Sequence, residues 1–201
     1  MTAFEIEQSR LEELERLTLM KGSHAAREAG MCSMELVAYI AGEPHSDHPA
    51  CACPVLTSYV IGLNDAWDDE QRQKLKPYLV ALVGTRDDAK RELRGWMAID
   101  WIVREFTPTW LEAAKLDEEA AALRALPPIF THEGLLVCMG ALLAAKQRSA
   151  AARDAARAAT WAAAWGAAWD AAWAAAWDAL DPTVKRLQAS ALVLLDRMID
   201  A

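Results

Sequence analysis

Apolar residues recur every three or four positions along almost the whole chain, while strand-like alternation is nearly absent, so the pattern predicts an all-α, multi-helix fold. Thr2 and Glu5 fit a capping box opening a first helix, with Leu11, Leu14 and Leu17 on one face and Lys21-Gly22 at its end. A second helix is expected over 31–41 and stops at Gly42, a residue that tolerates left-handed backbone. A loop with Pro44, Pro49 and Pro54 follows. Pro54 suits the first turn of a third helix, whose stripe is Leu56, Tyr59, Val60, Leu63 and Trp67. Asp68 and Asp69 begin a fourth helix ending at Gly84, and Pro77 inside it predicts a kink or a split. Thr85 and Asp88 make a capping box for a fifth, which presents Leu93, Trp96, Ile99, Val103 and Phe106. Pro108 predicts a restart after Thr107, and short helices then reach Pro127-Pro128.

Thr131 caps a last run that meets no strong stop before Asp181-Pro182. As straight helix it would reach ~75 Å, beyond the width of a domain this size, so a break, a bend or a projecting arm is expected. Asp181 as cap and Pro182 at the first turn open a final helix, with the heptad-like stripe Val184, Leu187, Ala191, Leu194 and Met198. The organisation predicted is a helical bundle over 1–130, carrying the loop 42–54, followed over 131–201 by a long Ala/Trp-rich helix and an amphipathic carboxyl-terminal helix.

Within the long helix, Arg153, Arg157, Trp161, Trp165, Trp169, Trp173 and Trp177 recur every four residues, mostly among alanines. Four residues advance an α-helix by about 400°, so successive rings rotate by about 40° and wind around the helix. No single flat surface covers them all. One reading is packing inside a homo-oligomer, with this helix and the final one as the interface. The other is an aromatic groove in which Arg153 and Arg157 meet an anion while Trp161, Trp165 and Trp169 stack on a ring.

Hydrophobic residues make up 54% of the 201 positions, although alanine inflates that figure in the last third. A net charge of −8 argues against general nucleic-acid binding and against anionic membrane surfaces. The run 158–177 is long enough to span a bilayer, but a central acid such as Asp170 costs roughly 3 kcal/mol on insertion scales, so no membrane association is expected. The amino end has no basic-then-apolar leader pattern, and Cys32, Cys51, Cys53 and Cys138 read as reduced thiols of a cytoplasmic protein.

The loop 42–54 concentrates chemistry. His45, Asp47, His48 and Cys51 have zinc-ligand types, and His24, Cys32 or Glu35 could complete the set if the second helix packs over the loop. A metal-dependent enzyme built this way would use Glu35 as general base. The plainer reading gives the loop turn caps, histidines bonded to carbonyls and cysteines packed as small apolar groups. A third has Cys32 or Cys51 attacking, with His24, His45 or His48 as base. Ser46-Asp47-His48 is no triad, since adjacent side chains cannot form the relay. Elsewhere, Asp100 and Arg104 are spaced for an internal ion pair. Nucleotide-binding glycine loops, GxSxG and HExxH are all missing, which argues against ordinary nucleotide hydrolysis, hydride transfer and esterase chemistry.

Met31-Cys32-x-Met34-Glu35, Gly42-Glu43-Pro44-His45-Ser46-Asp47-His48-Pro49, Leu75-Lys76-Pro77, Val83-Gly84-Thr85-Arg86, Trp96-Met97-Ala98-x-Asp100-Trp101 and the closing Pro182-Thr183 with Leu187-Gln188-x-Ser190-Ala191-Leu192 together resemble an uncharacterised family of actinobacterial and phage proteins. That family carries Ala/Trp/Asp/Arg repeat helices near the carboxyl end. The resemblance implies a prokaryotic or phage cytosolic setting and carries over no assignment of catalytic residues. The function expected is non-enzymatic binding or sequestration of a small anionic, nucleotide-like ligand in bacterial or phage defence. A metal-dependent enzyme and a structural, partner-binding helical module are the alternatives.

Overall fold

Where each helix begins depends on which side chain accepts its first free N–H groups, and the caps in this chain are partly unexpected ones. The structure is a computed structural model that describes residues 6, 8–163 and 168–201, with the side chains of all of these except 8 and 155–179. The fold is all-α and multi-helical. The expected Thr2–Glu5 box lies outside the described residues. The chain divides into two units, Met1–Gly95 with Leu195–Ala201, and Trp96–Leu194.

The first unit holds α1 (Gln8–Leu14), α2 (Ser33–Ile40), α3 (Pro54–Ala66), α4 (Asp69–Gln73), α5 (Lys76–Leu82) and the first half of α6 (Asp88–Trp101). α1 ends sooner than its leucine spacing predicts, because the following segment is held extended by side chains. Gln73 accepts from Leu19 N–H at 2.9 Å and donates to Leu19 O at 3.0 Å. Asn64 Nδ2 donates to Met20 O, and Asp65 accepts from Gly22 N–H. These contacts supply the backbone partners that a helix would otherwise provide.

The fourth helix does split, into α4 and α5. Lys74 and Leu75 N–H bond back only three residues, and Pro77 falls in the first turn of α5, where its missing N–H costs nothing. α2 is buried along its entire length and packs on α3 and α5, whose Leu56, Val60, Leu79 and Leu82 are buried as well. α6 is capped by Asp87, whose carboxylate accepts from Ala89 N–H, in place of the Thr85–Asp88 box. Thr85 is used elsewhere: its hydroxyl accepts from Cys53 N–H and donates to Leu82 O. Arg94 is wholly buried and donates from Nε to Met198 O and from Nη1 to Thr85 O, tying the chain's carboxyl end into this unit.

In the second unit α6 does not stop before Pro108. It passes through a π-helical turn (Ile102–Phe106) into α7 (Thr107–Ala113), with Thr107 N–H bonding five residues back to Ile102 O. The widened turn accommodates the proline ring, which would collide with the carbonyl four residues earlier in a regular helix. α8 (Asp117–Arg124) packs on α7, the π turn and α9 (His132–Ala163). One apolar cluster joins Leu111, Ala120, Leu123 and Ala145, and a second joins Val103, Ile129 and Cys138. Asp100 pairs with Arg104 at 3.2 Å, as its spacing predicts, and also accepts from Ile129 N–H.

Pro182 does not open a final helix. α10 (Ala168–Asp200) runs through it. A helix-interior proline costs ~3 kcal/mol or more, and here several contacts lie just beyond it. Lys185 pairs with Asp181 at 2.7 Å, Arg186 with Glu112 at 2.8 Å, and Trp101 Nε1 donates to Ser190 Oγ at 2.7 Å. Leu187, Ala191, Leu194 and Met198 are buried within their own chain, so this stripe is not a free oligomer face. Among the described residues, no helix is long and apolar enough to cross a membrane.

Two helices end in the same hydrogen-bond pattern with different residues at the left-handed position. After α2, Gly42 (φ 71°) donates to Tyr39 O and Glu43 N–H to Ala38 O. After α7, Lys115 (φ 61°) donates to Glu112 O and Leu116 N–H to Leu111 O. A side chain at that position is strained by roughly 1 kcal/mol. Lys115→Gly should therefore raise the urea midpoint of the second unit's unfolding, the gain in unfolding free energy being no more than ~1 kcal/mol after the entropy of the glycine is deducted. A lowered midpoint would show that the lysine side chain compensates for its backbone.

Candidate functional site

The loop's chemistry is organised by a carboxylate outside the loop. Glu35 lies on the first turn of α2, where it completes a capping box in which the Cys32 thiol, in place of a hydroxyl, accepts from Glu35 N–H at 3.5 Å. In return Glu35 Oε2 accepts from Cys32 N–H at 2.7 Å. The carboxylate also accepts from His24 N–H at 2.6 Å, and His24 Nδ1 lies 2.8 Å from Oε2. His45 Nε2 is 3.5 Å from Oε1 and 2.9 Å from His24 O. Glu35 is 1% exposed. Burial opposes its ionisation, but the N–H groups of Cys32 and His24 and the His24 ring outweigh this and hold the carboxyl below its ordinary range.

Gly30 makes room for this arrangement. It has φ 122°, and a Cβ there would collide with Met20 Sδ and lie 3.2 Å from the His24 ring. Next to it Tyr39 is clasped by cations: the Arg27 guanidinium lies 3.9 Å from the ring centroid, Arg10 donates to Tyr39 O, and Tyr39 OH donates to Glu13.

His45, the first of the four sequence-predicted metal ligands, joins His24 and Glu35. Asp47 and His48 pair with each other at 2.8 Å, and the His48 side chain is 68% exposed. Ser46 Oγ accepts from His48 N–H, a local turn contact and not a catalytic one. Cys51 is fully buried, its carbonyl accepts from Arg86 N–H, and the Glu43 carboxylate beside it accepts from Ala50 N–H. Among the described residues, no group of three or more His, Cys, Asp and Glu is placed to hold a metal ion. The donors of the loop have separate partners, with zinc ligation calling for convergence at one point.

The thiols are equally unsuited to attack. Burial, reinforced by the Glu35 charge, pushes Cys32 up to about 12, and burial with the Glu43 charge does the same for Cys51. The attacking species is the thiolate, and at neutral pH neither cysteine supplies it. All four cysteines are free and buried.

Of the anion-site residues, Arg153 is exposed on α9. The side chains of Arg157, Trp161, Trp165 and Trp169 lie outside the described residues. A hollow of about 370 Å³ in the second unit is lined by Lys115, Leu116, Asp117, Glu118, Glu119 and Arg148. Arg148 already pairs with Glu119 at 3.0 Å, so its charges are mixed and select neither anion nor cation. Glu112 pairs with both Arg124 and Arg186. Hydrogen bonds from Arg124 and Arg186 bring it down to about 2.

The sequence offered His24, Cys32 or Glu35 as companions of the loop if α2 packed over it, and the structure brings His24, Glu35 and His45 together. It did not reveal that Glu35 bonds His24 through both backbone and ring, because that contact crosses an irregular segment with no periodicity. No protein-family model, curated protein or solved structure matches the chain.

Two outcomes are expected. Glu35→Gln sets an amide NH₂ against one of the N–H donors now facing the two oxygens, which should cost about 1–3 kcal/mol of first-unit stability by urea titration. Because the folded carboxyl is depressed, its contribution is present above the ordinary carboxyl range and lost as pH falls through the folded value. The acid limb of stability against pH should therefore flatten in the variant, and an unchanged limb would remove Glu35 from this role. Separately, Cys32 and Cys51 should resist iodoacetamide in the folded protein at pH 8 and react fully in urea, as peptide mass mapping reads directly.

Proposed function

We propose that this chain is a non-enzymatic, partner-binding helical module whose second unit presents the binding face. The single observation that carries the proposal is the outer face of α9. Leu136, Val137, Met139 and Leu143 are exposed there, with Val137 at 73%, while Cys138 and Ala145 on the opposite face are buried in the unit's clusters. An apolar helix usually needs only one such face, and contiguous apolar exposure marks an interaction surface.

The chemistry of the first unit supports the same reading. Glu35, His24 and His45 hold one another and the backbone of 24–32, and the buried thiols stay protonated. Groups committed in this way position an irregular chain segment and leave no nucleophile paired with a base.

A photo-reactive diazirine residue in place of Leu143, introduced in cells that make the chain, tests this reading. Irradiation should give covalent adducts to protein, and the same residue in place of Glu70 in the first unit should give few. Adducts to lipid or small molecules alone, or equal yields at both positions, would overturn it.

A further inference from the structure

Gly140 is the anomaly on this helix. It lies inside α9, where a glycine weakens the helix, and a Cβ built on it meets nothing within 4 Å. Among the described residues, therefore, none comes close enough to call for a glycine there. Its neighbours on the exposed face are Glu133, Leu136, Leu143 and Gln147, the alternating three-and-four spacing of a helix-pairing seam. Val137 and Ala144 border the seam on one side, and Met139 and Lys146 border it on the other; all four are exposed.

This seam is complementary to itself when reversed. We infer that it binds a second copy of the chain, with two α9 helices crossing antiparallel about a two-fold axis at Gly140. In that register Glu133 of each copy meets Lys146 and Gln147 of the other, Leu136 meets Ala144, and Val137 meets Leu143. Opposite charges close both ends, large residues face small ones, and paired glycines let the backbones approach at the centre. The parallel register sets Glu133 against Glu133 and Lys146 against Lys146, which charge repulsion disfavours.

The seam from 133 to 147 is ~21 Å long at 1.5 Å per residue. One helix crossing of that length buries less than the ~800 Å² per partner of a standard stable interface. The dimer should therefore dissociate on dilution. This inference rests on the partner-binding reading and names the partner.

Sedimentation velocity of the full chain across a dilution series is the test. The expected result is a monomer–dimer equilibrium. Gly140→Leu should weaken it tenfold or more while leaving helix content and thermal midpoint unchanged or higher, because the added side chain meets open space within its own protomer. Glu133→Lys should weaken it, and Glu133→Lys combined with Lys146→Glu should restore it. A mixture of the two single variants should form heterodimers ahead of homodimers. A monomer at every concentration overturns the inference, and so does a dimer indifferent to Gly140→Leu and to the charge exchange. The photo-adducts at position 143 separate the two failures: adducts to a different protein overturn the second copy and keep the partner-binding reading, whereas no protein adduct overturns both.

Discussion

The first unit depends on how the Glu35 carboxylate is satisfied. A carboxylate with 1% exposure pays a large desolvation penalty, which only direct hydrogen bonds can offset. Glu35 receives the Cys32 N–H, the His24 N–H and the His24 ring, and His45 approaches it from the loop. Each of these partners sits on a stretch without a helical ladder of its own. One buried charge therefore specifies the positions of 24–32 and of the loop's entry, and those segments in turn satisfy the charge. Each half of the arrangement supplies the hydrogen-bond partners of the other, and this mutual requirement places two histidines and an acid together inside the unit.

The same logic recurs across the unit with neutral and cationic groups. Asn64 accepts from Ser33 N–H and hydroxyl and donates to Met20 O. Arg72 is buried and donates to Asn64 O and Trp67 O, the carbonyls at the end of α3. Arg94 does the equivalent for Thr85 and Met198. Long cationic side chains with several donors reach carbonyls that no neighbouring helix can, so short helices are joined without leaving unpaired backbone inside. The unit gains packing from many short elements at the expense of burying polar side chains, and Asn64, Arg72 and Arg94 are bonded where they are buried.

This division explains what could be read from the chain. The helical class, the proline at the start of α3, the split at Pro77, the Asp100–Arg104 pair and the Thr131 cap of α9, whose hydroxyl accepts from Gly134 N–H, all follow from contacts within about four residues. The failures lie where a distant partner intervenes. α1 yields to Gln73 and Asn64, Thr85 leaves its capping role to bond Cys53, and α10 continues through Pro182 with anchors on Glu112 and Trp101. Of the site, His24, Cys32 and Glu35 could be named as possible companions of the loop because α2 precedes it. Their arrangement could not be read, since 21 residues separate His24 from His45 and no periodic pattern connects them.

α9 presents the reverse situation. Its inner face is explained by Cys138 and Ala145 in the unit's clusters, and its outer face is not covered by any of the described residues. Propensity alone would favour alanine at Gly140 and a charge at Val137, because a solvated helix face gains from both. The chain has glycine and valine there, flanked by leucines at the spacing of a seam, with an acid at one end and a base at the other. Features that weaken a lone helix in water strengthen a pair of helices in contact, and the proposed antiparallel pair would satisfy the apolar positions, the glycine and the two charges together.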